Sequence, residues 1–188
     1  MTTLRLTNDT DADRLLSENG FALLMGMLLD QQVAMEVAFL GPWRLSQRLD
    51  GPLDAPTVAA ADPGGLEALF REKPALHRYP GSMARRVQAL AQHLVDEYDG
   101  RAEAVWESAS TGADLRRRLQ ALPGFGEQKA KIFVALLGKQ CGVQPDGWRD
   151  AAGDYGRNGF RSIADVTDPE ALEQVRAAKQ AAKAARAS

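Results

Sequence analysis

The pattern of apolar residues constrains the fold of this chain more than any other feature of its sequence. Residues 21–29 are apolar on nearly all sides, which is typical of a helix buried at the centre of a protein. Other segments carry apolar residues at helical spacing: residues 43–49, 57–61, 66–70, 82–98, 104–108, 114–122, 126–137 and a tail from 168 to 188, whose Ala- and Lys-rich end we expect to fray. No segment shows the alternation of a strand, so the sequence predicts an all-α fold.

Glycine, proline and serine mark the predicted ends of these helices. Gly41-Pro42 is predicted to end the turns that follow the buried helix, because proline interrupts helical hydrogen bonding. Ser82 is predicted to cap the start of the helix that runs to Tyr98, and Gly100 is predicted to stop it.

Composition excludes several classes of cofactor protein. The 188 residues include a single cysteine, Cys141, and two histidines, His77 and His93. One cysteine allows neither an internal disulfide nor a cysteine-held iron–sulfur cluster, and two histidines disfavour a histidine-rich metal centre. The chain opens polar and acidic, and its apolar runs are far shorter than the ~20 residues of a membrane span. The sequence therefore predicts a cytoplasmic protein without a cofactor of these kinds and without a membrane partner. We further expect it to be a monomer.

The net charge of −2 is unevenly distributed along the chain. Residues 1–70 carry 4 basic against 10 acidic side chains, residues 71–149 carry 13 against 9, and residues 150–188 carry 6 of each. A basic middle suits contact with a polyanion such as nucleic acid. On composition alone the simpler interpretation is favoured, which is a chance scatter of charge over a helical protein.

The sharpest local signal is Leu122-Pro123-Gly124-Phe125-Gly126, which lies between two predicted helices. Glycines at both bends allow a tight helix–hairpin–helix turn that can approach another molecule closely. The first backbone N–H groups of the second helix, from Gly126, Gln128 and Lys129, then point outward and can bind an anion with the help of the helix dipole. On DNA this would be a sequence-independent phosphate contact. The alternative is an ordinary turn stiffened by proline and glycine.

A loop beyond the hairpin contains Gln144-Pro145-Asp146-Gly147-Trp148, with Asp146 twenty residues after Gly126. Together with the hairpin and with Leu28-Leu29-Asp30-Gln31-Gln32-Val33, this loop resembles the helix–hairpin–helix–Gly/Pro/Asp superfamily of DNA glycosylases. The resemblance implies a two-lobed helical fold with the active-site cleft between the lobes. Residues 21–136 would form one lobe, ending in the hairpin, and residues 1–20 with 137–188 would form the other.

The resemblance also implies roles for individual residues. Asp146 matches the catalytic aspartate, which would face the sugar C1′, stabilise positive charge there and orient a water molecule. Gln32, with Gln31 as its substitute, matches the residue that fills the gap left in DNA by a flipped base. A K⁺ or Na⁺ ion beside a phosphate would be held by the backbone carbonyls of Gln120, Leu122 and Phe125.

Departures from the family's pattern reduce the number of reactions that the resemblance allows. No cysteines follow Asp146, which excludes the branch with an iron–sulfur cluster, and Gly147-Trp148 stand where a β-branched residue and a histidine are usual. Asp150 and Asp154 therefore compete with Asp146 for the catalytic role. Gln128 occupies the position of the strand-cutting lysine, and Lys129 follows it, where a rotation of about 100° turns its amine away from the cleft. The resemblance thus implies hydrolysis without strand cleavage.

Aromatic side chains are candidates to hold the flipped base. Trp148, Tyr79 and Trp43 are predicted to form this pocket, with Trp148 first because it lies two residues from Asp146. Trp106 and Tyr155 are also available, and for any one of these rings a place in the core is the more common outcome.

Three functions compete at this stage. The first is a monofunctional DNA N-glycosylase of base excision repair, which acts on double-stranded DNA with a damaged base. The second is a non-catalytic hairpin protein that attaches to DNA or senses damage. The third is a helical interaction protein without a nucleic-acid role, which the acidic net charge permits. The aspartate after a proline-containing loop favours catalysis, since a binding module has no need of it.

Overall fold

The computed structural model describes residues 3–188 as an assembly of helices. Eleven α-helices follow one another there, and no strand occurs among these residues. The helices are α1 (Thr10–Glu18), α2 (Gly20–Leu29), α3 (Met35–Ser46), α4 (Ala55–Ala60), α5 (Pro63–Arg71), α6 (Pro80–Tyr98), α7 (Ala104–Glu107), α8 (Gly112–Gln120), α9 (Glu127–Gln140), α10 (Trp148–Ala152) and α11 (Pro169–Ala187). Two 3₁₀ turns, Gly153–Gly156 and Ile163–Asp165, lie between α10 and α11. The predicted all-α class is confirmed.

Helix α2 lies at the centre of the core, as the sequence predicts. All ten of its residues are buried, and α1, α3, α6 and α9 pack against it. The helix begins at a defined residue because the Asn19 side chain accepts a hydrogen bond of 2.9 Å from the Ala22 N–H. A helix that is apolar all round has no face for solvent, so the other helices surround it.

The predicted helix end at Gly41-Pro42 is wrong, because α3 continues through these residues. The helix runs from Met35 to Ser46 with Pro42 inside it. A proline at this depth removes a helical hydrogen bond, yet Gly41 and Pro42 are both buried. A β-carbon on Gly41 would lie 2.7 Å from Leu29 Cδ1, so the glycine allows α3 to approach α2 closely. Burial against α2 outweighs the local preference to break the helix.

Helix α6 begins earlier than predicted. It starts at Pro80, so Ser82 lies in the first turn and is not the cap. Proline is favoured at a first helical position, because an N–H group there has no helical partner to lose. The end agrees with the prediction: Asp99 and Gly100 have φ of 52° and 77°, and the Gly100 N–H donates to Leu94 O at 2.9 Å, which closes the helix.

The predicted helix–hairpin–helix is formed by α8, a turn at residues 121–126 and α9. Gly124 has a φ of 83°, a conformation that glycine adopts without strain. Leu122 and Phe125 are buried, and the Phe125 ring meets the Phe133 ring edge-on with centroids 6.1 Å apart. The turn is therefore anchored in the core and fixes the start of α9.

The chain reverses direction after α9. Trp148 packs its indole on Gly138 near the end of α9 and its backbone on Gly112 at the start of α8. Helix α10 then leads back along α9, and a β-carbon on Gly153 would lie 3.7 Å from the Lys131 side chain. This reversal brings residues 153–161 beside the first half of α9.

Helix α11 is anchored only at its beginning. Asp168 accepts a hydrogen bond of 2.7 Å from the Ala171 N–H, and Leu172 and Val175 are buried. Arg176 forms an ion pair with Glu36 on α3. The helix continues to Ala187 with exposed side chains.

Candidate functional site

A cavity of about 1300 Å³ opens between the start of α9, the end of α2, residues 153–161 and the exposed part of α11. We call this cavity the cleft. Its uncharged polar and aromatic walls include Gln31, Gln128, Tyr155 and Phe160. Its charged walls comprise the basic residues Lys129, Lys131, Arg161, Lys179, Lys183 and Arg186 and the acidic residues Asp30, Glu127 and Asp154.

The cleft is basic although the chain as a whole is acidic. Six basic side chains line it against three acidic ones, while the net charge of the protein is −2. Two of the acids are near lysines: Glu127 is 2.8 Å from Lys131 Nζ, and Asp30 is 3.9 Å from Lys179 Nζ. A concave surface with an excess of one charge attracts ligands of the opposite charge. The cleft is thus suited to an anionic ligand.

The start of α9 offers unpaired backbone donors at the edge of the cleft. The first main-chain hydrogen bond of this helix joins the Ala130 N–H to Gly126 O, so the N–H groups of the preceding first turn have no helical acceptor. A β-carbon on Gly126 would meet nothing within 4 Å. An anion can therefore approach Gly126 without displacing protein atoms.

Gly124 differs from Gly126 in what it faces. A β-carbon on Gly124 would lie 3.1 Å from Leu28 Cδ1, inside the protein. Of the two glycines predicted to let the turn approach another molecule closely, Gly126 alone faces open space. Gly124 is required by its positive φ and by its contact with α2.

Of the three hairpin carbonyls proposed for a monovalent cation, one already has a partner. The Leu122 carbonyl accepts the Phe125 N–H at 3.1 Å, which leaves one lone pair on that oxygen. The cation at Gln120, Leu122 and Phe125 stays a prediction.

Lys129 connects the hairpin to the end of α2. Its Nζ donates to Met27 O at 2.5 Å and to Asp30 O at 2.9 Å, two carbonyls at the end of α2, where a basic side chain can satisfy acceptors that the helix does not fully use. Burial lowers the pKa of the Lys129 ammonium to about 8. The residue forms part of the cleft wall, but its ammonium is engaged by α2. Only its backbone N–H remains for the predicted phosphate contact.

His77 contacts two further carbonyls at the end of α2. Its Nε2 lies 3.1 Å from Leu29 O and 2.9 Å from Gln31 O, while Nδ1 accepts the Tyr79 N–H at 3.0 Å. Because Nδ1 is an acceptor and Nε2 faces carbonyls, the ring proton is assigned to Nε2. His77 is buried and supports the backbone of Gln31.

The predicted plug residues follow the capped end of α2. Gln32 is exposed and has a φ of 57°, a left-handed conformation that is uncommon for a residue with a side chain. Such conformations persist only where the surroundings enforce them, and they are concentrated at functional sites. Gln31 lines the cleft, donates to Leu28 O at 2.9 Å and accepts from Arg86 at 3.3 Å.

Asp146 does not reach the cleft. Its carbonyl accepts the Gly112 N–H at 2.8 Å, which fixes it beside the start of α8, at the end of the helix pair away from the hairpin. Helix α9 has 14 residues and is therefore about 21 Å long. The Asp146 side chain is exposed there. The structure thus separates this residue from Gln31 and Gln128, which line the cleft.

Asp154 is the carboxylate that the chain reversal brings to the cleft. It lies in the 3₁₀ turn after α10, next to Tyr155, whose hydroxyl accepts a hydrogen bond of 3.0 Å from Gln128 Nε2. Its carboxylate is 3.3 Å from Arg157 and is 73% exposed. Of the two residues that compete with Asp146 by sequence, Asp154 lines the cleft with Gln128.

The three aromatic residues predicted for a base pocket are not in the cleft. Trp148 is 8% exposed and packs on Gly138, and Trp43 lies on α3, away from the cleft lining. Tyr79 is 42% exposed at the start of α6, beneath the Arg78 guanidinium. The cleft aromatics are Tyr155, which the sequence offered, and Phe160, which it did not single out. The sequence signal that could have indicated an exposed Phe160 is the preceding Gly159, since glycine is common in exposed turns.

No family model, curated protein or solved structure matches this chain. Within residues 3–188, no helix combines the length and apolar character needed to cross a membrane. No group of three His, Cys, Asp or Glu side chains converges there as metal ligands.

Proposed function

We propose that this protein is a monofunctional DNA N-glycosylase of the helix–hairpin–helix–Gly/Pro/Asp type. One observation carries the proposal: the start of α9, residues Asp30 and Gln31 just before Gln32, and the Asp154–Tyr155 segment line one basic cleft. Such an enzyme must hold a phosphate backbone, extrude a base and cleave a glycosidic bond. Each of these tasks has a candidate among the residues that meet there.

The hairpin would hold the DNA backbone. A phosphate beside Gly126 would accept hydrogen bonds from the free N–H groups of the first turn of α9, and the helix dipole would stabilise its charge. These donors belong to the backbone, so the contact would not depend on the base sequence.

Gln32 would fill the gap that the flipped base leaves in DNA, and the aromatic residues of the cleft would hold that base. Gln32 projects from a turn whose carbonyls are held by Lys129 and His77, which suits a residue that must remain in the DNA stack. Tyr155 and the 43% exposed Phe160 offer ring faces for stacking. The cavity volume of about 1300 Å³ is ample for one nucleotide.

Asp154 would supply the negative charge for bond cleavage. A carboxylate near C1′ stabilises the oxocarbenium-like transition state and orients the attacking water. Gln128 has no amine, and the Lys129 ammonium is engaged by the carbonyls of Met27 and Asp30. A covalent Schiff base is therefore not expected, and the product would be a free base and an intact strand with an abasic site.

Release of free base from duplex DNA tests the proposal. A panel of duplexes carrying one alkylated purine, one deaminated base or one oxidised base would be incubated with the protein, and the released bases would be measured by chromatography. Catalytic release from at least one duplex supports the proposal. Saturating binding without release from any duplex would contradict it.

A non-catalytic DNA-binding protein is the second candidate function. Two observations favour it: Asp146 lies outside the cleft, and Asp154 is exposed beside Arg157. A solvated, ion-paired carboxylate is a weaker electrostatic catalyst than one in a dry site. This candidate predicts tight, salt-dependent binding to damaged and undamaged duplexes and no base release.

A further inference from the structure

The exposed part of α11 forms one side of the cleft. Val175 is the last buried residue of this helix, which nevertheless continues to Ala187. Lys179, Lys183 and Arg186 line the cleft together with Ala178 and Ala182. Spacings of four and three residues place the three basic residues on one face of the helix. We call this set of three residues the basic face.

The position of the basic face is fixed by contacts at the root of the helix. Leu172 and Val175 are buried in the core, and Arg176 is paired with Glu36. Lys179 lies 3.9 Å from Asp30, on the opposite wall of the cleft. Among residues 3–188, Lys183 and Arg186 have no carboxylate within 4.0 Å. Two of the three charges are therefore available to a ligand.

We propose that the basic face of α11 binds the phosphate backbone of a DNA strand, opposite the phosphate contact of the hairpin. The inference rests on the proposed function in taking DNA as the polyanion. Lys179 and Arg186 are separated by about 10 Å along the helix axis, a length over which one DNA strand presents about three phosphates. Alanines between the basic residues leave the helix narrow enough to lie close to the strand.

The composition of α11 disfavours other anionic partners. A helix that binds a lipid surface carries large apolar side chains on the face opposite its charges, and beyond Val175 the apolar residues of α11 are alanines. The basic face also shares the cleft with the free N–H groups of α9, which are suited to phosphate. The two walls together form a clamp for a phosphate backbone.

The salt dependence of DNA binding tests this inference. The triple variant Lys179→Gln, Lys183→Gln, Arg186→Gln keeps good helix formers in place and removes three charges. Binding of a fluorescent undamaged duplex would be measured by anisotropy over a series of KCl concentrations. The slope of log K against log salt is negative, and each lost phosphate contact reduces its magnitude by about 0.9. We therefore expect the magnitude of the slope to fall by about 2 to 3.

A matched control removes equal charge elsewhere. Arg14, Arg71 and Arg101 are exposed, lie outside the cleft and are paired with nearby acids. Their triple change to glutamine should reduce the magnitude of the slope by less than about 1, because long-range charge alone is screened at these distances. Circular dichroism of both variants checks that the helices are retained.

The outcomes separate this inference from the proposed function. An unchanged slope in the α11 variant, or an equal fall in the control, would overturn the inference while base release by the wild type would leave the proposed function standing. A large fall confined to the α11 variant, without base release by the wild type, would support the inference and contradict the glycosylase. Binding to anionic phosphatidylserine vesicles in place of the duplex would overturn both.

Discussion

Gln128 Nε2 donates a hydrogen bond of 3.0 Å to the hydroxyl of Tyr155, twenty-seven residues further along the chain. This contact joins the first turn of α9 to the segment that follows α10. It holds the 3₁₀ turn at Gly153–Gly156 beside the cleft. The carboxylate next to Tyr155 at that point belongs to Asp154.

Asp154→Asn should lower base release at least ~100-fold, the cost of removing one preorganised charge from a transition state. DNA affinity should be unchanged or higher, because the amide keeps the shape and removes a negative charge. Single-turnover release and anisotropy would be measured on the same duplex. Asp146→Asn and Asp150→Asn are the controls and should retain activity.

An inactive Asp146→Asn variant beside an active Asp154→Asn variant would contradict this assignment. It would favour the position matched by the family resemblance. The loop at residues 141–147 would then have to adopt another path when DNA is bound.

No protein–DNA adduct should be trapped by borohydride during turnover. The position from which a lysine would attack C1′ is occupied by Gln128, and the Lys129 ammonium donates to Met27 O and Asp30 O. Gel electrophoresis after borohydride treatment measures the adduct. An adduct that disappears in Lys129→Ala would show that the monofunctional prediction is wrong.

Gln128→Lys is the gain-of-function counterpart of that experiment. The new amine would stand in the cleft beside Tyr155 and could attack C1′ if the sugar lies where we propose. We expect an adduct in this variant alone. Its absence in an otherwise active Gln128→Lys protein would place the sugar elsewhere.

Gly126→Leu should weaken binding to damaged and undamaged duplexes alike, by about tenfold, the cost of one hydrogen bond to a charged group. The side chain would point into the open space beside the first turn of α9 and obstruct a phosphate. Urea unfolding should be nearly unchanged, because no atom beyond the neighbouring residues of the chain lies within 4 Å of the new β-carbon. Loss of discrimination between the duplexes with full affinity would contradict the assignment.

Gly124→Ala provides the contrast within the same turn. A residue with a β-carbon at a φ of 83° and close to Leu28 should lower the free energy of unfolding, by about 1–3 kcal/mol for the strained backbone. Equal stability of Gly124→Ala and the wild type would show that the turn conformation is wrong.

The buried ammonium of Lys129 should make stability depend on pH. Its pKa is lowered from 10.5 to about 8 by burial, so between these pH values the unfolded chain binds more protons than the folded one. Stability contributed through this group therefore rises as pH increases through that window. The free energy of unfolding of the wild type, relative to Lys129→Met, should increase between pH 8 and pH 10.5.

Urea unfolding of both proteins at several pH values measures this difference. Lys129→Met keeps the length of the side chain and removes the titrating group, so other ionisations cancel. A difference that stays constant or shrinks across the window would show that the ammonium is not desolvated.

Local patterns predicted the helices and the hairpin because those signals are short-range. The buried helix at residues 21–29 and the glycine turn before α9 follow from apolar spacing and from backbone freedom. The run of α3 through Pro42 could not be predicted, since it depends on burial against α2. The same holds for His77 and Lys129, whose hydrogen bonds join residues more than forty positions apart.

The residues after α9 that line the cleft could not be predicted from spacing along the sequence. Counting twenty residues from Gly126 leads to Asp146, but a count does not give the direction of a loop. Trp148 decides that direction, because its packing on Gly138 holds the loop at the far end of α9. Helix α10 and the 3₁₀ turn at Gly153–Gly156 then lead back along α9 and bring Asp154 to the cleft that Gln128 also lines. Whether an aromatic residue lies in the core or in the cleft likewise depends on tertiary packing, which cannot be read from the sequence alone.

The contact among Gly112, Gly138 and Trp148 has a consequence for how this protein can change over evolutionary time. A β-carbon on Gly112 would lie 2.5 Å from Trp148 Cα, and one on Gly138 would clash with the indole ring of Trp148. A residue larger than glycine at position 138 requires a residue smaller than tryptophan at position 148. Substitutions at these two positions are therefore tolerated only in pairs. Gly112 faces backbone atoms and has no such partner to compensate it. Divergent copies of this chain should therefore keep glycine at 112 while positions 138 and 148 vary together in volume.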